Sequence, residues 1–511
     1  MPPTAKGRVF LVGAGPGDPG LLTLEGARRM GQADVVLYDY LANDALLRHA
    51  PPHAERVCLG RHGRGKVWSQ QQINERMVAE ALAGRIVVRL KGGDPSVFGR
   101  LAEEIAACRD AGVPFAIVPG VTTATAAGAY AGLAITDRDH ASCVALVTGH
   151  QRADGQESGT ADFDRLAGFP GTLVVYMGVT TAPDWSRRLI DAGKPADTRA
   201  TIVRRCSLPD QQTIHTTLGE LAEVLAPGRI RPPLVVVVGE VAGANAADWF
   251  TARPLFGQTV VVTRPAQQND AMAQRLADLG ARVLLQPAIE IAQPGDLTPL
   301  DAAIRELPRY DWVVFSSRNG VDALLTRMSQ LGSDARAFGA ARVAAIGPAT
   351  AEALAEWRLT SDLTPAEYRA EALAAELRHG ARGKRVLLIR ASRGREVLAE
   401  SLAEAGAEVS QVVAYESRDV ATADPAVLEE IAAGRVDWIT ATSSAIAHSS
   451  VRLFGDSIAA APAKPRWAAI SPLTAGALAA EGNQAEAVAT EYTADGVVDA
   501  LLAAESGTGD R

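Results

Sequence analysis

The sequence predicts an α/β protein built as two successive halves. Short β-branched runs, apolar throughout, alternate with amphipathic stretches along the chain, as expected for strands buried on both faces with helices packed over them. The alternation restarts after a seam near 247–258, ADWFTARPLFGQ. Within the C-terminal half, a pair of sections echo each other: DWVVFSS (311–317) with RVAAIGPATAEAL (342–354), and DWITATSS (437–444) with RWAAISPLTAGAL (466–478). They read as two similar α/β subdomains, each ending in a Gly/Ser-Pro-x-Thr-Ala turn.

In the N-terminal half the expected strands are RVFLV (8–12), ADVVLYD (33–39), RIVVRL (85–90), FAIVP (115–119), CVALVTG (143–149), TLVVYMG (172–178), TIVRR (201–205) and PLVVVVG (233–239). One helix between them starts at Ser69, with Gln72 three residues on, the pattern of a capping box. In the C-terminal half the strands are QTVVVTRP (258–265), ARVLLQP (281–287), DWVVFSS, RVAAIG (342–347), KRVLLIRA (384–391), AEVSQVVAYE (407–416), VDWITATSS (436–444) and RWAAIS (466–471). Residues 247–257 read as a linker, and the tail SGTGDR (506–511) as disordered.

The 511 residues, 47% hydrophobic and 22% charged, exclude a disordered chain and suit two large domains or three to four smaller ones. A net charge of −8 argues against a general nucleic-acid binder. The cysteines (Cys58, Cys108, Cys143, Cys206) are scattered and form no C-x-x-C pair, which indicates neither a disulfide framework nor a thiolate metal site. No apolar run is long enough for a membrane span, and the start has no signal-peptide pattern. The chain therefore reads as reduced and cytoplasmic. The dispersed histidines suggest no metal site; His49 and His53 flank Pro51-Pro52 and cannot form a helical i, i+4 ligand pair.

The chemistry-bearing segments of the N-terminal half are glycine loops at strand ends. GAGPGDPG (13–20) joins a strand to LLTLEGARR, the setting of a phosphate cradle. However, the dinucleotide fingerprint needs Gly where this chain has Asp18, and Pro16 removes a backbone donor, so a nicotinamide site is disfavoured. GRHGRGKV (60–67) matches a P-loop up to Lys66 but then has Val67 where a metal-binding hydroxyl is required. Its Arg61, His62, Arg64 and Lys66 read better as a basic loop for an acidic small molecule. LKGGDPSVFG (90–99) and VPGVTTATAAG (118–128) also follow strands, where α/β ligands bind.

GAGPGDPGLLT (13–23), VLYDYL (36–41), VRLKGGDPSVFGR (88–100), VPGVTTATAAGAYAGLAITDRD (118–139), VTGH (147–150) and VVYMG (174–178) occur in this order. Together they resemble uroporphyrinogen-III C-methyltransferase over about residues 7–246. The resemblance implies the tetrapyrrole methylase fold, with two α/β subdomains, S-adenosylmethionine in the cleft between them, and a homodimer. Carried over by position, it sets the cofactor against Pro16, Gly92, Gly93, Asp94, Val97, Thr122, Thr123, Met177 and the backbone at Cys206, where the family often has Gly. It makes Asp39 the general base. The family's proton donor falls on Arg61; because Arg stays protonated, this position is read as binding a substrate carboxylate in bidentate geometry. Arg64 and Lys66 would join it, with Arg100 and Arg138 as further candidates. A later corrin precursor is an alternative substrate.

After residue 257 no nucleophile or phosphate loop stands out. TRP (263–265), FSSRNGV (315–321), AIGPAT (345–350), EAL (371–373), GREV (394–397), VAY (413–415), TSS (442–444) and Tyr492-Thr493 resemble, in order, uroporphyrinogen-III synthase over about 257–505. That resemblance implies two α/β lobes joined by a two-stranded connection, no cofactor, and cyclisation of hydroxymethylbilane with inversion of the last ring. Candidates for binding substrate carboxylates are Arg264, Ser316, Ser317, Arg318, Thr350, Ser443, Ser444 and Thr474, with Tyr415 as proton donor. The two resemblances imply consecutive activities leading to precorrin-2, toward sirohaem or cobalamin, with small tetrapyrroles as partners. A non-catalytic tetrapyrrole-binding C-terminal half is the alternative.

Overall fold

The computed structural model describes residues 7–60, 67–150, 161–243, 247–394 and 396–507. It divides into two compact units, Met1–Gly257 and Gln258–Arg511.

The first unit holds two five-stranded sheets. β1 (Arg8–Gly13), β2 (Val35–Tyr38), β3 (Glu55–Cys58), β4 (Ile86–Lys91) and β5 (Phe115–Val118) form an all-parallel sheet in the order β3-β2-β4-β1-β5. The second sheet, β6-β7-β10-β8-β9, is built from β6 (Val144–Thr148), β7 (Thr172–Tyr176), β8 (Arg199–Arg204), β9 (Gln212–Thr217) and β10 (Leu234–Val238). Only β6 and β7 run parallel there. The expected capping box is present: Ser69 accepts from the Gln72 N–H, and the Gln72 side chain accepts from the Ser69 N–H.

The second unit has two lobes. One carries β11 (Thr259–Val262), β12 (Arg282–Leu285), β18 (Trp438–Ala441), β19 (Arg466–Ala469) and β20 (Ala485–Val488), all parallel, in the order β12-β11-β18-β19-β20. The other carries β13 (Ile289–Ala292), β14 (Trp312–Phe315), β15 (Arg342–Ala345), β16 (Arg385–Ala391) and β17 (Glu408–Asp419), in the order β13-β17-β16-β14-β15. The chain crosses between lobes twice, entering through β13 and returning through β17. The last four residues of β17 pair antiparallel with β13, while its earlier residues run parallel to β16. The echoed sections are the β14–β15 and β18–β19 units, one in each lobe.

Several expectations need correcting. The Pro-x-Thr-Ala segments do not end the subdomains. Each opens a helix, Pro348–Glu356 after Gly347 and Pro472–Ala480 after Ser471, because a proline at the first helical position has its φ already set and its missing N–H is not needed. Residues 247–257 are not a bare tether. Phe250 is buried, its ring meets Tyr130 edge-on at 4.6 Å, and Trp249 Nε1 donates to the Ala129 carbonyl at 2.7 Å. The helix Ala494–Ser506 takes in the first residue of the tail, and 508–511 lie outside the described residues. All four cysteines are free. Among the described residues no helix is long and apolar enough to cross a membrane, and no cluster of metal-ligating side chains occurs.

Candidate functional site

In the first unit the loops after β1, β4 and β5 meet because those strands are neighbours and run parallel. Gly15 and Gly93 form a bridge, with Gly93 N–H donating to the Gly15 carbonyl at 2.7 Å and Gly15 N–H to that of Gly93 at 3.2 Å. Gly13 and Gly120 cross so closely that a Cβ on Gly120 would lie 2.3 Å from the Gly93 carbonyl oxygen and 2.8 Å from the Gly13 Cα. Gly93 needs glycine for another reason: its φ is +68°, in the left-handed region. A Cβ there would meet only Thr123, 3.8 Å away, so bare backbone faces the space between the loops. A Cβ on Gly92 would strike the Leu41 Cβ at 2.8 Å, which sets this loop beside the segment after Asp39.

Asp94 fastens the convergence. One oxygen accepts from the Gly120 N–H at 2.9 Å, and the other from the Ser96 N–H at 2.7 Å and the Ser96 hydroxyl. Val97 N–H donates to the Asp94 carbonyl. Elements flanking the second sheet close the space. Thr122, the N-cap of the helix Thr123–Tyr130, shares a 2.8 Å hydrogen bond with the Tyr176 hydroxyl, which also accepts from the Ala124 N–H at 2.7 Å. The Phe98 ring lies 5.0 Å from that of Tyr176. Met177 follows with φ +51°, half exposed, and Phe98 has φ +51° as well. Non-glycine residues held at positive φ are concentrated at functional sites. Cys206 lies in the turn after β8, and its carbonyl oxygen would be 3.0 Å from a Cβ on Gly17. Its thiol is buried and pushed up to about 12, so it remains protonated and inert. Pro16, Gly92–Asp94, Val97, Thr122, Met177 and Cys206 thus belong to the loops and turns bordering this space, and Thr123 is the first residue of the helix that opens beside them.

Asp18, whose charge argued against a pyrophosphate, has a structural role. It caps the turn Pro19–Leu21 through the Gly20 N–H, accepts from the Tyr130 hydroxyl at 2.7 Å, and donates its own N–H to Ser207. Asp39, just past β2, accepts from Arg89 Nη2 at 2.7 Å. Arg89 is itself buried and donates through Nε to Glu104 at 3.0 Å; Glu104 also accepts from Lys91 Nζ at 2.7 Å. Burial pulls the Lys91 ammonium below its ordinary range, reinforced by the neighbouring Arg89 charge and opposed by Glu104. Arg61, His62, Arg64 and Lys66 lie outside the described residues. Arg100 is tied to Glu103 on the surface, and Arg138 is exposed.

In the second unit the candidates gather at helix N-termini following parallel strands. Ser317 caps Arg318–Gln330 by accepting from the Gly320 N–H at 3.1 Å, and Ser443 caps Ser444–Ala460 by accepting from the Ile446 N–H. Unpaired N–H groups at such ends favour carboxylates. The Tyr415 hydroxyl shares a 2.9 Å hydrogen bond with Ser317 Oγ. Ser316 Oγ instead donates to the Ile389 carbonyl, and Thr350 and Thr474 are buried, so these three side chains face protein rather than solvent. Arg264 follows β11 in one lobe, and Arg318 opens a helix of the other. Burial lowers the Arg264 guanidinium from its ordinary value, and the Arg318 charge adds to this. Arg264 Nε is buried without a hydrogen-bond partner, while Nη2 donates to Gln268, which in turn bonds Asn319 of the other lobe. Arg318 is itself paired, its Nη2 donating to Glu356 at 2.6 Å with Asp322 3.7 Å from its Nε, so the unmet donor on this side belongs to Arg264.

Sequence reasoning reached Tyr176 only as part of VVYMG (174–178), without a role for its hydroxyl, and missed Tyr130 and the Arg89–Glu104–Lys91 cluster. A signal for the last was available: IVVRLK (Ile86–Lys91) places two cations in a strand that is buried from Val87 on.

Comparison with known proteins agrees with this division. A family model described as tetrapyrrole (corrin/porphyrin) methylases matches residues 8–222, and one described as uroporphyrinogen-III synthase HemD matches 270–499. The porphyrin biosynthesis protein HemD of Ruminiclostridium josui is 33% identical over 498 residues, 97% of this chain and 98% of that protein. The uroporphyrinogen-III C-methyltransferase of Bacillus subtilis (strain 168) is 36% identical over 62% of this chain and 65% of its own length. Siroheme synthase 1 of Yersinia enterocolitica is 44% identical over 50% of this chain and 53% of its own. Among solved structures, the uroporphyrin-III C-methyl transferase of Thermus thermophilus complexed with S-adenyl homocysteine is 40% identical, covering 46% of this chain and 98% of that one, with a TM-score of 0.40.

Proposed function

The chain belongs to the HemD family of porphyrin biosynthesis, a bifunctional tetrapyrrole-forming enzyme with a methylase followed by a uroporphyrinogen-III synthase, and on that premise we propose that its two units act consecutively on one substrate. The second unit cyclises hydroxymethylbilane to uroporphyrinogen III. The first methylates that product twice with S-adenosylmethionine to give precorrin-2, the branch toward sirohaem or cobalamin.

The observation that carries this reading for the first unit is the bare-backbone cradle at Gly93, closed by Asp94, Thr122 and Met177. Its carbonyls and carboxylate suit an ammonium and ribose hydroxyls, and its thioether and aromatic walls suit an adenine. When bound, the cofactor supplies an electrophilic methyl group. Each methyl gained by a pyrrole carbon is matched by one proton lost, and Asp39 takes it. Arg61, Arg64 and Lys66 bind the substrate's carboxylates, and the first unit works as a homodimer. In the second unit Arg264 and the N-termini capped by Ser317 and Ser443 hold carboxylates, while Tyr415, bonded to Ser317, donates a proton to the departing hydroxyl. Ser444 sits at the same N-terminus. Ser316, Thr350 and Thr474 shape the walls.

Anaerobic incubation of the full chain with hydroxymethylbilane, with and without S-adenosylmethionine, tests both units. Isomer III without the methyl donor, gaining two methyl groups with it, is the expected result. Isomer I alone, beside methylation of separately supplied uroporphyrinogen III, would leave the second unit a non-catalytic module.

A further inference from the structure

Beneath Asp39 lies a set of charges sealed from solvent. Arg89 is 2% exposed, Lys91 3% and Glu104 0%. Each nitrogen of Arg89 is engaged: Nε with Glu104, Nη1 with the Leu37 and Leu90 carbonyls, and Nη2 with Asp39. Oε1 of Glu104 accepts from Arg89, Lys91 and Gln70, whereas its Oε2 is buried with no partner. Such a cluster is a poor device for stability, because a well-packed apolar set of the same volume is often as stable or more so. Its formal charge is balanced only when Asp39 is counted with it: two cations, two carboxylates, and Asp39 the single member with substantial exposure, 29% at its side chain.

We propose that Glu104 and Lys91 are positioning residues that set the charge balance felt by Asp39, acting through Arg89. The inference rests on the reading of Asp39 as the proton acceptor. Arg89 holds the Asp39 carboxylate in place, Glu104 fixes the guanidinium from behind and offsets its charge, and Lys91 offsets Glu104. Other groups facing the cluster are Arg100 and Glu103 on the Glu104 side, Gln70 from the helix Gln70–Leu82, Cys108 on Glu104's own helix, and Tyr40 beside Asp39. Removing Glu104's charge leaves one excess cation behind Asp39; removing Lys91's leaves one excess anion.

The test is the rate–pH profile of methyl transfer by the full chain, with binding of S-adenosylhomocysteine as the check that the first unit is folded. Glu104→Gln moves the acid limb to lower pH and Lys91→Met moves it to higher pH, each by about half a unit or more. The double variant, again balanced, returns it to near the parent position, and Lys91→Arg leaves it in place. A purely structural role would lower activity without opposite shifts. Limbs that stay put, or move the same way, overturn the proposal. If Glu104→Gln does not bind the analogue, Lys91→Met and the double variant decide. Asp39→Asn separates the two readings: full methyl transfer by that variant refutes the proton-acceptor reading, whereas its inactivity with unmoved limbs in the others refutes only this one.

Discussion

Gly120→Ala is the sharpest probe of the glycine crossing in the first unit. The φ of Gly120 is one that any residue adopts, so the substitution adds one methyl group and no backbone strain. That methyl would lie 2.3 Å from the Gly93 carbonyl oxygen and 2.8 and 2.9 Å from Gly13 Cα and carbonyl carbon. All three are backbone atoms, so no side chain can swing aside. The loops must separate by about 0.7 Å merely to reach 3.0 Å, below which Cβ contacts essentially never occur. The Gly120 N–H bond to Asp94 then lengthens from 2.9 Å, and the 2.7 Å bond from Gly93 to Gly15 is pulled out of line. Overpacking of this kind amounts to about 1–3 kcal/mol. Falling on the liganded state, it weakens S-adenosylhomocysteine binding about 5- to 150-fold. Displacement of the bound methyl donor slows methyl transfer by up to about 100-fold. Calorimetric titration and single-turnover methylation measure both, with hydroxymethylbilane cyclisation as the internal control, expected unchanged. Analogue affinity within about twofold of the parent, with an unchanged methylation rate, would refute the claim that this crossing shapes the cofactor site.

Four further outcomes are expected. Tyr415→Phe removes the bond to Ser317, destabilises the second unit by about 1 kcal/mol in urea titration, and abolishes isomer III formation while methylation of supplied uroporphyrinogen III persists. Phe250→Ala, which empties a buried aromatic site, lowers the stability of the first unit by about 3–5 kcal/mol in the same titration. Asp419 is held well below the ordinary carboxylate range by Arg393, with Ser449 and Arg452 adding to it, so its stabilising effect is complete above the unfolded value of 3.8 and fades as pH falls below it. The gap in melting temperature between parent and Asp419→Asn is therefore constant near neutrality and narrows below about pH 4. Burial pushes the Cys108 thiol up to about 11 and that of Cys206 to about 12, so a thiol reagent at about pH 8 reacts with Cys58 and Cys143 in the folded chain and reaches the other two only after denaturation.

The strands legible in the sequence are those whose two faces are both covered, such as β1, β4, β10 and β14, because burial on both sides demands an uninterrupted apolar run. The missed strands, β3, β9, β13 and β20, are all at sheet edges. Their sequences, ERVC, QTIHTT, IEIA and AEAV, carry polar residues because one side and one edge face water. The glycine loops were legible as strand-end loops from the apolar runs before them. Which glycines touch was not, since Gly13 meets Gly120 only because β1 lies between β4 and β5, a fact of strand order that no local pattern encodes. Glu104 was invisible for the same reason. On its helix it reads as one more surface carboxylate, and only the pairing of β4 with β1 and β2 turns the helix Leu101–Asp110 so that it meets Arg89 and Lys91.

The extent of the methylating unit follows from packing rather than from the matched segment. The family model ends at residue 222, yet β10 (Leu234–Val238) lies beyond it, is buried along its whole length, and is the strand that joins β7 to β8. Without it the second sheet would split into two pairs and expose the interior faces of Val175 and Ile202. The segment after it is equally necessary. Phe250 packs on Tyr130, the Tyr130 hydroxyl donates to Asp18, and Asp18 caps the turn that follows the first glycine loop. Residues from opposite ends of the unit thus brace the turn after the first glycine loop, and burial raises the Tyr130 phenol far enough that it remains a donor throughout the working pH range. The folding unit must therefore run to Gly257, where the compact unit ends. The glycine-crowded loop and the aromatic strap are a single device: a backbone cradle keeps its shape only when something outside it fixes the ends.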